Sequence, residues 1–255
     1  MTTANLFDLS GKIALVTGSS RGIGESAART LAAYGAHVIV CSRKIDGCES
    51  VAAAIRADGG KAEARACDIG NLEQIDKLFD DIASTHGRLD ILVNNAGTMP
   101  YFGPIADTDL ASFQKTLDVN IRGYFFSSAR GVKLMTKNGG GSIINVASVN
   151  AISPGIMQGI YSISKAAVVS MTKAFAKECA EAGVRVNALL PGATATKLAA
   201  TLMEDEAMLQ KLLPRVPMHR MGKPDEMAGA ILYFASNASS YTTGACVTVD
   251  GGLVL

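Results

Sequence analysis

Tyr161 and Lys165 stand four residues apart in the stretch Tyr161-Ser-Ile-Ser-Lys165. On a helix that spacing puts a phenol and an ammonium on one face. A free phenol has a pKa of about 10, so it supplies little phenolate at neutral pH. A nearby cation favours the phenolate. A shift of about three units corresponds to about 4 kcal/mol, which an adjacent charge in a partly dry cleft can supply. Such a pair can deliver or remove a proton. Tyr-x-x-x-Lys alone is a weak signal, because many exposed helices carry it. Ser148 lies upstream. Its hydroxyl can hydrogen-bond and polarise a substrate oxygen, although a Ser there fits a loop cap equally well.

A second site of chemistry is the turn Thr17-Gly-Ser-Ser-Arg-Gly-Ile-Gly24. Gly18, Gly22 and Gly24 allow positive φ and close backbone approach. The turn follows an apolar strand and opens a helix, whose unpaired N–H groups and positive dipole end suit a pyrophosphate. Ser20, Arg21 and Ile23 belong to the same cradle. About twenty residues on, an NAD site places an acid at the end of strand two to bind the ribose 2′-hydroxyl. Here that place holds Ser42, Arg43 and Lys44. A neutral Ser and an Arg fork accept a 2′-phosphate that an acid would repel, so NADP(H) is expected over NAD(H). Arg21 can reach the same phosphate; the alternative is that Arg43 and Lys44 are solvated surface charges. Asp68 and Ile69 end strand three, where Asp68 either accepts the adenine amino group or caps the next turn. Asn94, Ala96 and Gly97 end strand four, where small residues let the backbone lie against a cofactor and amides can tie neighbouring strands.

Those residues need a frame. Short runs at Lys12–Val16, His37–Cys41, Ala62–Cys67, Leu89–Val93, Ser142–Val146, Val184–Leu190 and Cys246–Val249, most of them rich in β-branched residues, read as seven strands. Amphipathic stretches at Gly22–Tyr34, up to Asp58, Leu72–Thr85, Asp109–Met135, Ile160–Glu181 and Pro224–Ser236 read as helices between them. The alternation predicts an α/β class: a Rossmann-type, doubly wound, mostly parallel seven-stranded sheet with helices on both faces, in one domain over 1–255. Every motif above falls at the C-terminal end of a strand, where ligands bind such sheets. The segment 193–216 lies outside the alternation. It carries Leu198, Leu202, Met203, Met208, Leu209, Leu212 and Leu213 around Glu204-Asp-Glu206, and reads as a helical lid or as ordinary helices on the core.

Composition narrows the classes. The chain has 255 residues, 48% of them apolar, and a net charge of +1. No electrostatic case exists for nucleic acid or an anionic membrane. No apolar run reaches the length of a membrane span. Met1 to Asp8 shows neither a basic n-region nor an apolar h-region, which argues against export. The five cysteines are scattered with no Cys-x-x-Cys pair, so small reduced core residues are expected rather than disulfides or zinc ligands. His37, His86 and His219 are far apart and form no metal motif, so no metal is expected; the compartment read is a reducing cytosol.

Taken together, the glycine turn, Asn94-Asn-Ala-Gly97, Asn120, Ser148, Tyr161-Ser-Ile-Ser-Lys165 and Pro191-Gly192 resemble the short-chain dehydrogenase/reductase family along nearly the whole chain. The resemblance implies an oxidoreductase that moves a hydride between a nicotinamide cofactor and a ketone or secondary alcohol. It implies that Tyr161 is the acid in reduction and the base in oxidation. Lys165 would lower its pKa and hold the nicotinamide ribose, Ser148 would orient the carbonyl, and Asn120 would position a water in a relay to Lys165, in a locally distorted helix. It further implies that Pro191, Gly192, Thr194 and Thr196 hold the nicotinamide amide, and that the chain forms homotetramers or dimers.

The substrate is left open. Near relatives in pattern include 3-oxoacyl-carrier-protein reductases, but docking an acidic carrier needs a basic patch. Asn138-Gly-Gly-Gly141 and Glu178-Cys-Ala-Glu181 do not supply one. Expected pocket residues are Met99, Tyr101, Val149, Asn150, Met157 and the lid leucines, which favour a small-molecule carbonyl with hydrocarbon groups. A non-catalytic NADP(H)-binding sensor would need the glycine turn but not the four polar residues.

Overall fold

The computed structural model describes residues 6–199 and 205–255. The strands are β1 (Ile13–Thr17), β2 (His37–Ser42), β3 (Lys61–Ala66), β4 (Ile91–Asn94), β5 (Gly141–Val146), β6 (Val184–Pro191) and β7 (Cys246–Val249). They form one seven-stranded sheet in the order β3-β2-β1-β4-β5-β6-β7, and every pairing is parallel. The expected sheet was mostly parallel; this one is wholly so. The chain runs outward from β1 to one edge, returns, and runs to the other. The order reverses between β1 and β4, where a crevice opens beyond the C-terminal strand ends.

The helices are α1 (Gly22–Ala33), α2 (Ile45–Ala57), α3 (Leu72–His86), α4 (Leu110–Thr116), α5 (Gly123–Lys137), α6 (Gly159–Cys179), α7 (Glu206–Leu212) and α8 (Pro224–Ala235). Burial on both faces explains why the central strands read as continuous apolar runs. One face packs Ala27, Leu31, Val51, Ile55, Ile231 and Phe234, from α1, α2 and α8. The other packs Ile75, Phe79, Tyr124, Met135, Val168 and Met171, from α3, α5 and α6. The edge strand β3 differs: Lys61, Glu63 and Arg65 alternate along it, and charges on an edge discourage pairing with another chain.

One long stretch carries the local distortion that the resemblance implied. The long helix over Asp109–Met135 is interrupted: α4 and α5 are joined by a π-helical turn, Leu117–Arg122, with Asn120 inside it. The described parts of segment 193–216 are helical in short pieces: a 3₁₀ turn (Lys197–Ala199), α7 and a second 3₁₀ turn (Leu213–Arg215), and α7 buries none of its residues. Leu202, Met203 and Glu204 lie outside the described residues. Its neck is laced: the Ala195 N–H donates to the Gly222 carbonyl and the Gly222 N–H to the Ala193 carbonyl, both at 2.9 Å.

Candidate active site

A cleft of about 1370 Å³ runs across the C-terminal strand ends. Gly18, Ser20, Arg21, Gly22 and Ile23 wall one part of it; Ser42, Arg43 and Lys44 wall the next. Gly18 and Gly22 have φ of 64° and 60°. A Cβ on Gly18 would stand 2.6 Å from the Ala96 Cα, so only glycine allows the turn to close on the β4 loop. No side chain caps α1 at Arg21, which leaves first-turn N–H groups free for an anion. The residues therefore fit a dinucleotide. The cleft also exceeds the ~300–1,000 Å³ of a typical small-molecule pocket, leaving room for a second reactant.

Asp68 and Ile69 line the cleft beside Cys67. Asp68 also closes its own turn by accepting from the Gly70 N–H at 2.9 Å, and it pairs with Lys115 at 3.5 Å. Beyond them lie Ala96, Gly97, Tyr161, Lys165, Pro191, Gly192, Thr194 and Thr196. Three expected cofactor or catalytic residues do not reach the wall among the described residues. Asn94 is buried behind it, donating to the Ser128 hydroxyl at 3.0 Å and to the Asn145 side-chain Oδ1 at 2.9 Å. As the last residue of β4 it points away from the face that its successor presents. That successor, Asn95, lines the cleft and donates to the carbonyls of Thr17 and Gly18. Gly24 serves packing instead, because the Asn95 side chain occupies the space its Cβ would fill. Asn120 is the third.

Asn120 is fully buried. Its Oδ1 accepts from the Thr98 N–H at 2.9 Å; its Nδ2 donates to the Thr98 carbonyl at 2.9 Å and to the Ser164 hydroxyl at 3.0 Å. Ser164 in turn donates to the Tyr161 carbonyl at 2.7 Å. The amide thus ties the loop after β4 to the first turn of α6. A Cβ on Gly97 would stand 3.7 Å from both Asn120 Oδ1 and Lys165 Nζ, so the glycine keeps the gap between them open.

Tyr161 and Lys165 emerge from the first turns of α6, where the helix meets the cleft. Lys165 is 3% exposed. Its Nζ donates to the Val146 carbonyl at 2.8 Å and lies 5.1 Å and 5.7 Å from the ring centroids of Tyr124 and Tyr161. Burial pushes its pKa down to about 7. The same burial pushes the Tyr161 phenol up to about 12, with the neighbouring Ser148 hydroxyl pulling the other way. Burial therefore acts against the acidity expected of the phenol beside Lys165. Desolvation of the phenolate outweighs a lysine that is itself half discharged at neutral pH. Ser148 faces the cleft and also caps a 3₁₀ turn, accepting from the Asn150 N–H at 3.1 Å.

The cleft is also lined by Met99, Phe102, Val149, Asn150, Met157 and Leu198, and by Met208, Leu212, Leu253 and Val254. Tyr101, expected here, instead donates its hydroxyl to the Pro104 carbonyl off the wall. Sequence reasoning missed the exposed Lys211 and Arg215, which join this wall at i and i+4.

A family model described as Enoyl-(Acyl carrier protein) reductase matches residues 18–254. Dehydrogenase/reductase SDR family member 4 of Oryctolagus cuniculus is 38% identical over 244 residues, covering 96% of this chain and 94% of its own. The chain belongs to the short-chain dehydrogenase/reductase family. Among solved members, a gluconate 5-dehydrogenase from Burkholderia cenocepacia in complex with NADP and tartrate superposes with a TM-score of 0.94 at 34% identity, over 98% and 97% of the two chains. A 7α-hydroxysteroid dehydrogenase with NADH and 7-oxo glycochenodeoxycholic acid gives 0.94 at 35% identity, over 99% and 98%. The chain is an oxidoreductase of the alcohol–carbonyl kind with a site for NAD(P). Among the described residues, no helix is long and apolar enough to cross a membrane.

Proposed function

We propose that the protein is an NADP(H)-dependent oxidoreductase interconverting a ketone and a secondary alcohol, with Tyr161 as the proton donor and acceptor. The observation that carries this reading is that Ser148, Tyr161 and Lys165 come together in the same cleft that holds the glycine-lined anion cradle. When bound, the cofactor supplies or accepts the hydride. The Ser148 hydroxyl orients the substrate oxygen. Tyr161, protonated throughout the neutral range, gives its proton to that oxygen during reduction. The phenolate left behind is an anion close to Lys165, which draws a proton onto that amine and is stabilised by it. Asn120 holds the Thr98 loop against α6 and so fixes the gap beside Gly97 through which Lys165 is resupplied.

Arg21, Arg43 and Lys44 favour a 2′-phosphate; the one acid on that stretch of wall, Asp46, sits in the first turn of α2. The apolar lining of the cleft points to a substrate with an apolar body, and the exposed Lys211 and Arg215 favour one that also carries a carboxylate. The same two cations support an acyl-carrier thioester as the second reading. Five free cysteines suit a reducing cytosol, and a family-like homotetramer or dimer is the assembly we expect.

The test is a panel of oxo acids, apolar ketones and 3-oxoacyl thioesters with NADPH and NADH, run on the native protein and on Tyr161→Phe. The variant should lose about 10²–10⁴-fold in turnover and keep its cofactor affinity. Cofactor binding with no turnover on any of these would move the protein to a sensor role. Undiminished turnover in Tyr161→Phe would remove the proposed proton donor.

A further inference from the structure

At the opposite end of the sheet, three side chains converge that the cleft does not use. His37 opens β2, Glu63 lies in the edge strand β3, and His86 closes α3. Far apart in sequence, they are adjacent in space. His86 Nε2 is 3.1 Å from Glu63 Oε1, and His37 Nε2 is 3.9 Å from Glu63 Oε2. The two imidazole centroids are 5.0 Å apart. One donor atom from each residue lies within 4.8 Å of the other two.

A structural explanation is an ion-pair cluster around Glu63, since Arg65 also approaches that carboxylate at 3.2 Å. That explanation leaves one fact over. His37 Nε2 is buried and has no hydrogen-bond partner; 3.9 Å to Glu63 is too long for one. An unsatisfied buried nitrogen is costly and calls for a reason. Burial holds the His37 imidazole below its usual pKa, while Glu63 pulls upward and His86, Lys61 and Arg65 pull down.

We infer that His37, Glu63 and His86 form a binding site for a zinc-like divalent ion, which pins the edge strand β3 to the end of α3. Two imidazoles and a carboxylate make a three-ligand zinc set that leaves a fourth position for water. Zn–N and Zn–O bonds of about 2.0–2.2 Å set donor atoms about 3.3–3.6 Å apart in a tetrahedron. The His86–Glu63 spacing of 3.1 Å is already close to this, and His37 would have to close on Glu63 from 3.9 Å and on His86 from within 4.8 Å. The orphaned nitrogen would gain its partner. Arg65 would lose Glu63, so it competes with the ion.

The experiment is a titration of untagged, chelator-stripped full-length protein with Zn²⁺ by calorimetry and with Co²⁺ by visible absorption, alongside thermal unfolding. One ion per chain is expected, with the intense bands of tetrahedral Co²⁺ and a raised Tm. His37→Ala, His86→Ala and Glu63→Gln should each weaken binding by more than the ~10–100-fold that outer-shell partners cost. Arg65→Ala should tighten it, which an ion-pair cluster alone would not do. Absence of saturable uptake by the native chain overturns the site. So does uptake unchanged in both histidine variants, or uptake lost only in Cys67→Ser. Circular dichroism of each variant separates lost ligands from lost fold.

Discussion

Replacing Lys165 with Met should make the stability of the cofactor-free protein much less dependent on pH above neutrality. Burial takes the Lys165 amine from 10.5 down to about 7. Below about pH 7 the folded and unfolded chains both carry its proton, and the cost of burying the ammonium is fully present. Above that, the folded chain releases the proton while the unfolded chain keeps it. Stability then rises with pH, by up to about 1.4 kcal/mol per unit, until the unfolded lysine also titrates near about 10.4. From about pH 7 to about pH 9.5 the gain is about 3 kcal/mol. Tyr161 acts with the opposite sign, because its folded value is raised to about 12. Its contribution is lost only above the ordinary phenol value of about 10, so the window excludes it. Urea unfolding of native protein and Lys165→Met, at matched concentrations across this window, isolates the effect. The native chain should gain about 3 kcal/mol relative to the variant. A difference that stays flat within about 0.5 kcal/mol, or that reverses, would refute the idea that this amine discharges in the dry cleft.

Other outcomes follow from the same geometry. Arg43→Ala should weaken NADPH by roughly 10–100-fold, the worth of about 1.5–3 kcal/mol for hydrogen bonds to a charged group, and NADH hardly at all; equal losses would argue against a 2′-phosphate contact. Gly18→Ala should destabilise by at least about 1–2 kcal/mol from left-handed backbone strain alone, with cofactor affinity falling in the same variant, read by thermal unfolding and by titration. Because Tyr161 must lose a proton to act as base, alcohol oxidation should rise from about pH 6 to about pH 9 while carbonyl reduction does not. Oxidation that falls over that range would contradict its role.

Much of this was legible in the chain, for identifiable reasons. Apolar runs announced the central strands because parallel strands there are buried on both faces, whereas the edge strand β3 alternates small and charged residues. Tyr161 and Lys165 were visible because one helical turn relates them. Asn94 and Asn95 were confused because adjacent residues at a strand end face opposite sides, and the sequence does not say which side is the cleft. The π turn at Asn120 was expected only from the family resemblance, since residue propensities carry no signal for an inserted residue. The low acidity of Tyr161 was invisible because dehydration depends on what covers the site. The meeting of His37, Glu63 and His86 depends on a β2–β3–α3 arrangement that no local spacing encodes.

The laced neck between Ala193–Ala195 and Gly222 has an evolutionary corollary. The positions that flank residues 196–221 are hydrogen-bonded to each other, with a further tie from the Met218 N–H to the Gly251 carbonyl. Lengthening such a closed segment costs little, about 0.6 kcal/mol per doubling, and does not disturb strand order. The segment is therefore an exchangeable cassette: grafting it between relatives can retune which alcohol is accepted, while the nucleotide half of the scaffold stays constant.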